Sequence, residues 1–168
     1  FESKVDPAIE KRLAEQPGAR INLRATSTGS TVKVKADVSK VTGTSQKLRL
    51  QIALAEDTVT YSGENGERFH PMVVRSMALD AESNQGVALK PGKGGTFEYT
   101  FDVAKAVRDA VAHLEDFETN TRKGEYTFRQ RKHEITGGLV VVAFVQDEAT
   151  NKVLQATYLK PAAAKASR

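Results

Sequence analysis

The chain contains no cysteine. Disulfides, thiol catalysis and Cys-based zinc sites are therefore excluded within these 168 residues. The compartment stays open, because many exported bacterial domains also lack cysteine. No apolar run approaches the ~18–20 residues that span a bilayer as a helix, and no signal peptide is visible. The chain opens on Phe1 rather than Met, which points to a processed product or an excised fragment with a segment upstream. There is no Gly-x-Ser-x-Gly elbow, no assembled nucleophile–base–orienter set and no internal repeat. The residues carry no catalytic signature.

A strong charge of one sign is also missing. The formal charge is +4. Three of the 25 basic residues sit in the tail Lys160–Arg168, which has no acidic residue, so 22 face 21 acidic residues in the rest. The basic balance belongs to a tail more than to a binding face, and nucleic acid, which asks for a dense basic patch, is not expected as a partner.

What is present is strand pattern. Leu139–Val145 is unbroken and apolar, rich in β-branched side chains and preceded by Gly137-Gly138, which predicts a strand covered on both faces. Asp147–Lys152 supplies turn residues, and Val153–Leu159 alternates, so the two runs are expected as a hairpin at the centre of a sheet. Upstream, Ile21, Leu23 and Ala25 alternate, as do Val32, Val34, Ala36 and Val38, with Thr28-Gly29-Ser30 between them. Leu48, Leu50, Ile52 and Leu54 give the cleanest period of two. Further strands are expected at 58–61, 72–77, 96–101 and 125–135. Asn65-Gly66 signals a tight turn.

Two helices stand out. Asp6 and Pro7 open a short one, with Ile9 and Leu13 on one face, closed by Pro17-Gly18. Asp102–Phe117 carries a stripe of Val103, Val107, Ala110, Val111, Leu114 and Phe117. The expected organisation is a lead-in helix or linker at 1–19, one sandwich domain at 20–159 and a flexible basic tail at 160–168.

Candidate sites have plain alternatives. Tyr61, Asn65, Glu67, His70 and Arg75 share a polar stretch, with Glu56-Asp57 before it; a small ligand or metal would suit His and carboxylates. The spacing fits no zinc motif, and the simpler reading is a hairpin bonding its own backbone. Arg129, Arg131 and His133, with Arg122, Lys123 and Lys132 nearby, form a candidate polyanion face; its simpler reading is a solvated strand face. His133 and His70 meeting across strands would be the basis of a metal-dependent enzyme, the weakest alternative. His113 sits at the border of the helix stripe. Pro91–Gly95 lacks the full spacing of a phosphate loop and precedes a strand, so it reads as a turn.

Residues Ala53–Arg75, Lys132–Ile135, Val142–Asp147 and Val153–Ala156 together resemble the C-terminal β-sandwich module of exported bacterial thioredoxin-like proteins, including relatives of the twenty-eight-kilodalton outer-membrane-protein family. The resemblance covers most of residues 20–159 and rests on strand and loop patterns. It implies an all-β, immunoglobulin-like sandwich with one packed helix. It also implies an accessory module exported to the periplasm, the outer membrane or the outside. The partner it implies is an upstream thioredoxin-like domain or another protein. The paired cysteines of that domain have no counterpart here, so redox activity does not carry over. No catalytic residue, cofactor or metal is expected. A stand-alone ligand- or carbohydrate-binding sandwich is the alternative.

Overall fold

The alternating strands build two sheets. A computed structural model describes residues 2–62, 65–128 and 134–164 of the chain. The first sheet holds β1 (Arg20–Ser27), β2 (Thr31–Ser39), β6 (Gly95–Asp102) and β9 (Ala162–Ala163) in the order β6-β2-β1-β9. The second holds β3 (Leu48–Thr60), β4 (Phe69–Met77), β7 (Leu139–Asp147) and β8 (Lys152–Leu159) in the order β4-β3-β7-β8, with β5 (Val87–Leu89) paired to the start of β3.

Period-2 burial joins the sheets. Val32, Val34, Ala36 and Val38 of the first and Leu48, Leu50, Ile52, Leu54, Val141, Ala143 and Val145 of the second lie in one apolar core. The fold is a β-sandwich with two helices. Burying each of those Leu and Ile side chains contributes roughly 1.5–3 kcal/mol, which is why the alternation decides the architecture.

Helix α2 (Val103–Asp116) follows β6 directly. Asp102 caps it, its carboxylate accepting the Lys105 N–H at 2.8 Å. The six residues of the expected stripe are half-buried, the one buried residue of the helix is Ala106, which the stripe did not include, and His113 is exposed. The helix packs against β6 and β4, edge strands of opposite sheets, and so sits at the open side of the sandwich. A π-helical turn, Phe117–Thr121, ends it.

Several expectations change. The strands expected at 48–54 and 58–61 are one strand, β3; Glu56 and Asp57 do not interrupt it because both carboxylates find partners. The final hairpin is not central: β3 and β7 are the inner strands and β8 is an edge. Nor is β7 covered on both faces throughout, since Val142 and Phe144, which alternate with the core residues, are only half-buried. The strand expected at 125–135 is absent at 125–128 and at 134–135. There Tyr126 and Phe128 turn onto Phe117 with ring centroids 5.8 and 5.6 Å away, and the Phe128 N–H goes to the Glu118 carboxylate at 2.6 Å instead of to a neighbouring strand.

At the N-terminus, α1 (Glu2–Leu13) starts earlier than Asp6, with Pro7 inside it. Strand β5 gave no signal of its own in the sequence. At the other end, Ala162 and Ala163 pair in parallel with Thr26 and Ser27, so the stretch assigned to the tail is held as far as Ala164.

Candidate functional site

Strands β3 and β4 form a long hairpin, and most of the singled-out polar residues lie on it. Asn65-Gly66 lies in a wider connection than the expected tight turn, closed by Tyr61 and Arg68. Gly66 has a φ of +77°, Asn65 Oδ1 accepts the Glu67 N–H at 3.1 Å, and the Tyr61 N–H donates to the Arg68 carbonyl at 2.9 Å. Asn65 and Glu67 are exposed. His70 belongs to β4 rather than to a loop; its Nε2 lies 3.1 Å from the Tyr61 carbonyl, and its ring is 6.4 Å from the Tyr61 ring.

Arg75 stands at an irregularity in the strand pairing. Leu54 pairs with Ser76 and Ala55 with Val74, so Arg75 is the extra residue of a bulge. A bulge re-aims its side chain, and here it delivers the guanidinium to Glu56. Arg75 Nε and Nη2 donate to Oε2 of Glu56 at 2.9 and 2.5 Å. The other oxygen, Oε1, accepts the N–H groups of Thr136 at 2.9 Å and Gly137 at 2.5 Å. Glu56 is fully buried. Burial alone raises the pKa of its carboxyl; the Gly137 N–H, the Arg75 guanidinium and the Thr136 N–H outweigh that and hold it below the usual carboxylate range. Gly137 has to be glycine for this cradle, since an added Cβ would sit 2.7 Å from the Thr58 carbonyl and 3.0 Å from Glu56.

The sequence offered Arg75 as a binding residue and Glu56 only as a neighbour. The structure makes them one buried ion pair that fastens the 134–137 segment to β3 and β4. Period-2 reading would have found Glu56, which shares the core-facing parity of Leu50, Ile52 and Leu54 and so stands out as a carboxylate in an inward position.

Beside the pair runs a cleft of about 330 Å³, walled by Val59, Val73, Leu114 and Phe128 with Tyr61, His70 and Arg75. Three of the five residues of the candidate loop thus meet in one place, and Asn65 and Glu67 stay outside it. The walls are apolar and come from the hairpin, from the end of α2 and from the aromatic cluster. Among the described residues no three His, Asp or Glu side chains are grouped to hold a metal ion. Arg129, Arg131 and His133, the candidate polyanion face, lie outside the described residues, so the pairing of His133 with His70 has no geometry here. Among the described residues no helix is long and apolar enough to cross a membrane.

No family model matches the chain, and no curated protein matches it. Solved structures are similar to it. One of them is a domain of the outer membrane lipoprotein Omp28 from Porphyromonas gingivalis, with 17% sequence identity, covering 88% of this chain and 99% of that one at a TM-score of 0.49. The fold assignment rests on the sheets and shared core of the chain itself.

Strand β4 also carries exposed apolar side chains on both of its faces, Phe69 opposite Thr60 on one and Val74 opposite Ala55 on the other. Phe69 is 62% exposed and Val74 55%, Met72 and Pro71 are exposed beside them, and the Arg68 guanidinium lies 5.9 Å from the centre of the Phe69 ring. These residues belong to β4, an edge strand of the second sheet. Among the described residues no strand pairs with the outer edge of β4, and exposed apolar side chains on such an edge are a surface that natural sandwiches usually blunt with charge.

Proposed function

We propose that the chain is a non-catalytic accessory module of an exported, thioredoxin-associated protein, with its contact surface on the β3–β4 hairpin. The observation that carries this reading is the division of labour along one strand. Arg75 and His70 bond Glu56 and the Tyr61 carbonyl, while Phe69, Met72 and Val74 are left open to a partner. Export and the thioredoxin-like partner rest on the resemblance of residues 53–75, 132–135, 142–147 and 153–156 to such modules. The immunoglobulin-like character of the sandwich rests on the same resemblance.

The test is the size of the complexes that carry the chain in its source cells. Phe69→Ser with Val74→Ser removes the apolar edge from exposed positions and is expected to leave only the free chain, while His70→Ala leaves the complexes intact. Unchanged complexes in the Phe69/Val74 variant overturn the reading. A second reading has one observation behind it: the apolar cleft would suit a small apolar ligand better than a sugar. Such a ligand would raise the melting temperature by mass action, and Leu114→Trp, which fills the cleft, would abolish that rise.

A further inference from the structure

The chain has five asparagines, Asn22, Asn65, Asn84, Asn120 and Asn151, and only Asn65 is followed by glycine. The other four precede Leu23, Gln85, Thr121 and Lys152, whose side chains crowd the peptide nitrogen that follows the asparagine. Asn22 is also held within β1, and the Asn120 amide donates to the Asp116 carboxylate at 2.7 Å. Asn65 and Gly66 are both exposed, and a Cβ built on Gly66 would meet nothing within 4 Å. Among the described residues nothing accepts the Gly66 N–H.

The one bond that Asn65 makes favours chemistry at its side chain. Its Oδ1 accepts the Glu67 N–H at 3.1 Å. A bond from an Asn side chain to its own backbone two residues on is a common turn device. Here it folds the carboxamide back along the Gly66 peptide, which carries the nearest backbone nitrogen. It also draws electrons away from Cγ. A donor held at Oδ1 stands where negative charge gathers when Cγ becomes tetrahedral, as donors do in an oxyanion hole.

We propose that Asn65 is a site of spontaneous deamidation. The Gly66 backbone nitrogen gives up its proton to water or hydroxide and bonds to Asn65 Cγ. The Cγ–Nδ2 bond breaks, and the amide group leaves with a proton from solvent as ammonia. The product is a cyclic imide closed between Asn65 Cγ and the Gly66 nitrogen. Water then opens the ring at either of its carbonyls. Attack at Cγ gives aspartate; attack at the Asn65 main-chain carbonyl gives isoaspartate, with the chain rerouted through Cβ and Cγ. Nothing is oxidised or reduced: water is consumed, ammonia is released and a carboxylate is gained.

Either product sets a new negative charge beside Glu67, in the connection closed by Tyr61 and Arg68. Isoaspartate also lengthens the main chain there, so the end of the hairpin changes in charge and shape as the molecule ages. The reaction needs no partner and is independent of the function proposed above. Phe69→Ser with Val74→Ser, which tests that function, should leave the rate of conversion unchanged.

The test is to hold the folded chain at mildly alkaline pH, digest samples over time and read them by mass spectrometry, with the aspartyl and isoaspartyl peptides separated by chromatography. The expected result is conversion at position 65 that grows with time and with pH, while Asn22, Asn84, Asn120 and Asn151 keep their amides. Gly66→Ala should slow conversion by about tenfold or more, because only glycine leaves its nitrogen this open to approach. The unsubstituted chain decides the matter by itself. If Asn65 keeps its amide in the folded chain while the urea-unfolded chain converts, the fold protects the site and the proposal is overturned. Conversion at Asn151 as fast as at Asn65, or a Gly66→Ala chain that converts as fast as its parent, overturns it as well.

Discussion

Glu56→Gln removes a charge from the best-satisfied polar cluster of the sandwich. Gln keeps the shape and one carbonyl oxygen, which still accepts the Thr136 and Gly137 N–H groups. Its amide N–H₂ then points at the Arg75 guanidinium, donor against donor, and a guanidinium only 9% exposed loses its counter-charge. Breaking one side of a buried pair costs about 3–5 kcal/mol. In a domain of this size each kcal/mol lowers the melting temperature by about 2–4 °C, so the expected fall is roughly 6–20 °C.

Arg75→Met should cost a similar amount, because it leaves the buried carboxylate without its cation. The double variant, with Gln facing Met, should cost less than the two singles together by about 1–3 kcal/mol, since neither group then lacks a charge partner. Urea and thermal unfolding of the four proteins measure this. A loss below about 1 kcal/mol for either single variant, or simple additivity, would refute the reasoning.

The same pair gives the acid limb of stability a definite sign. The Glu56 carboxyl is held below its ordinary value of about 4.3, so the unfolded chain binds its proton more readily than the folded one. The stability it contributes is whole above that value and is lost as pH falls through it and on towards the lower folded value. Glu56→Gln should flatten that part of the stability–pH curve; an unchanged acid limb would contradict the account.

Other outcomes follow from local geometry. Gly94→Ala would place a Cβ 2.0 Å from the Val38 carbonyl, against backbone that cannot yield, and should cost several kcal/mol or prevent folding, read by expression and circular dichroism. Asp102→Ala removes the cap of α2 and should cost about 1 kcal/mol in urea unfolding. Arg24→Gln breaks an exposed pair with Asp37 and should change stability by no more than about 0.5 kcal/mol.

The fold was legible wherever one face of a strand is buried and the other wet. Val32–Val38 and Leu48–Leu54 alternate so cleanly that their facing follows from the sequence, and the stripe of α2 did the same with a period near 3.6. Legibility failed where tertiary partners override local pattern. Tyr126 and Phe128 alternate like a strand, yet Phe117 draws them into an aromatic cluster. Glu56-Asp57 looks like a break in β3, yet Arg75 and Lys160 neutralise it. Of the candidate loop, Tyr61, His70 and Arg75 line one cleft, but the pairing of Arg75 with Glu56 was hidden in the sequence. Only the bulge, which no residue type announces, turns it onto Glu56.

The account rests on the exposed edge of β4 being a contact surface, and crosslinking from position 69 tests that most directly. A photoreactive residue placed at Phe69 in the source cells, compared with one at exposed Lys33 on the other sheet, reports what touches each face. The account predicts a discrete crosslinked protein from position 69, with a thioredoxin-like domain in it, and none from position 33. Equal or absent crosslinking from the two positions would contradict it.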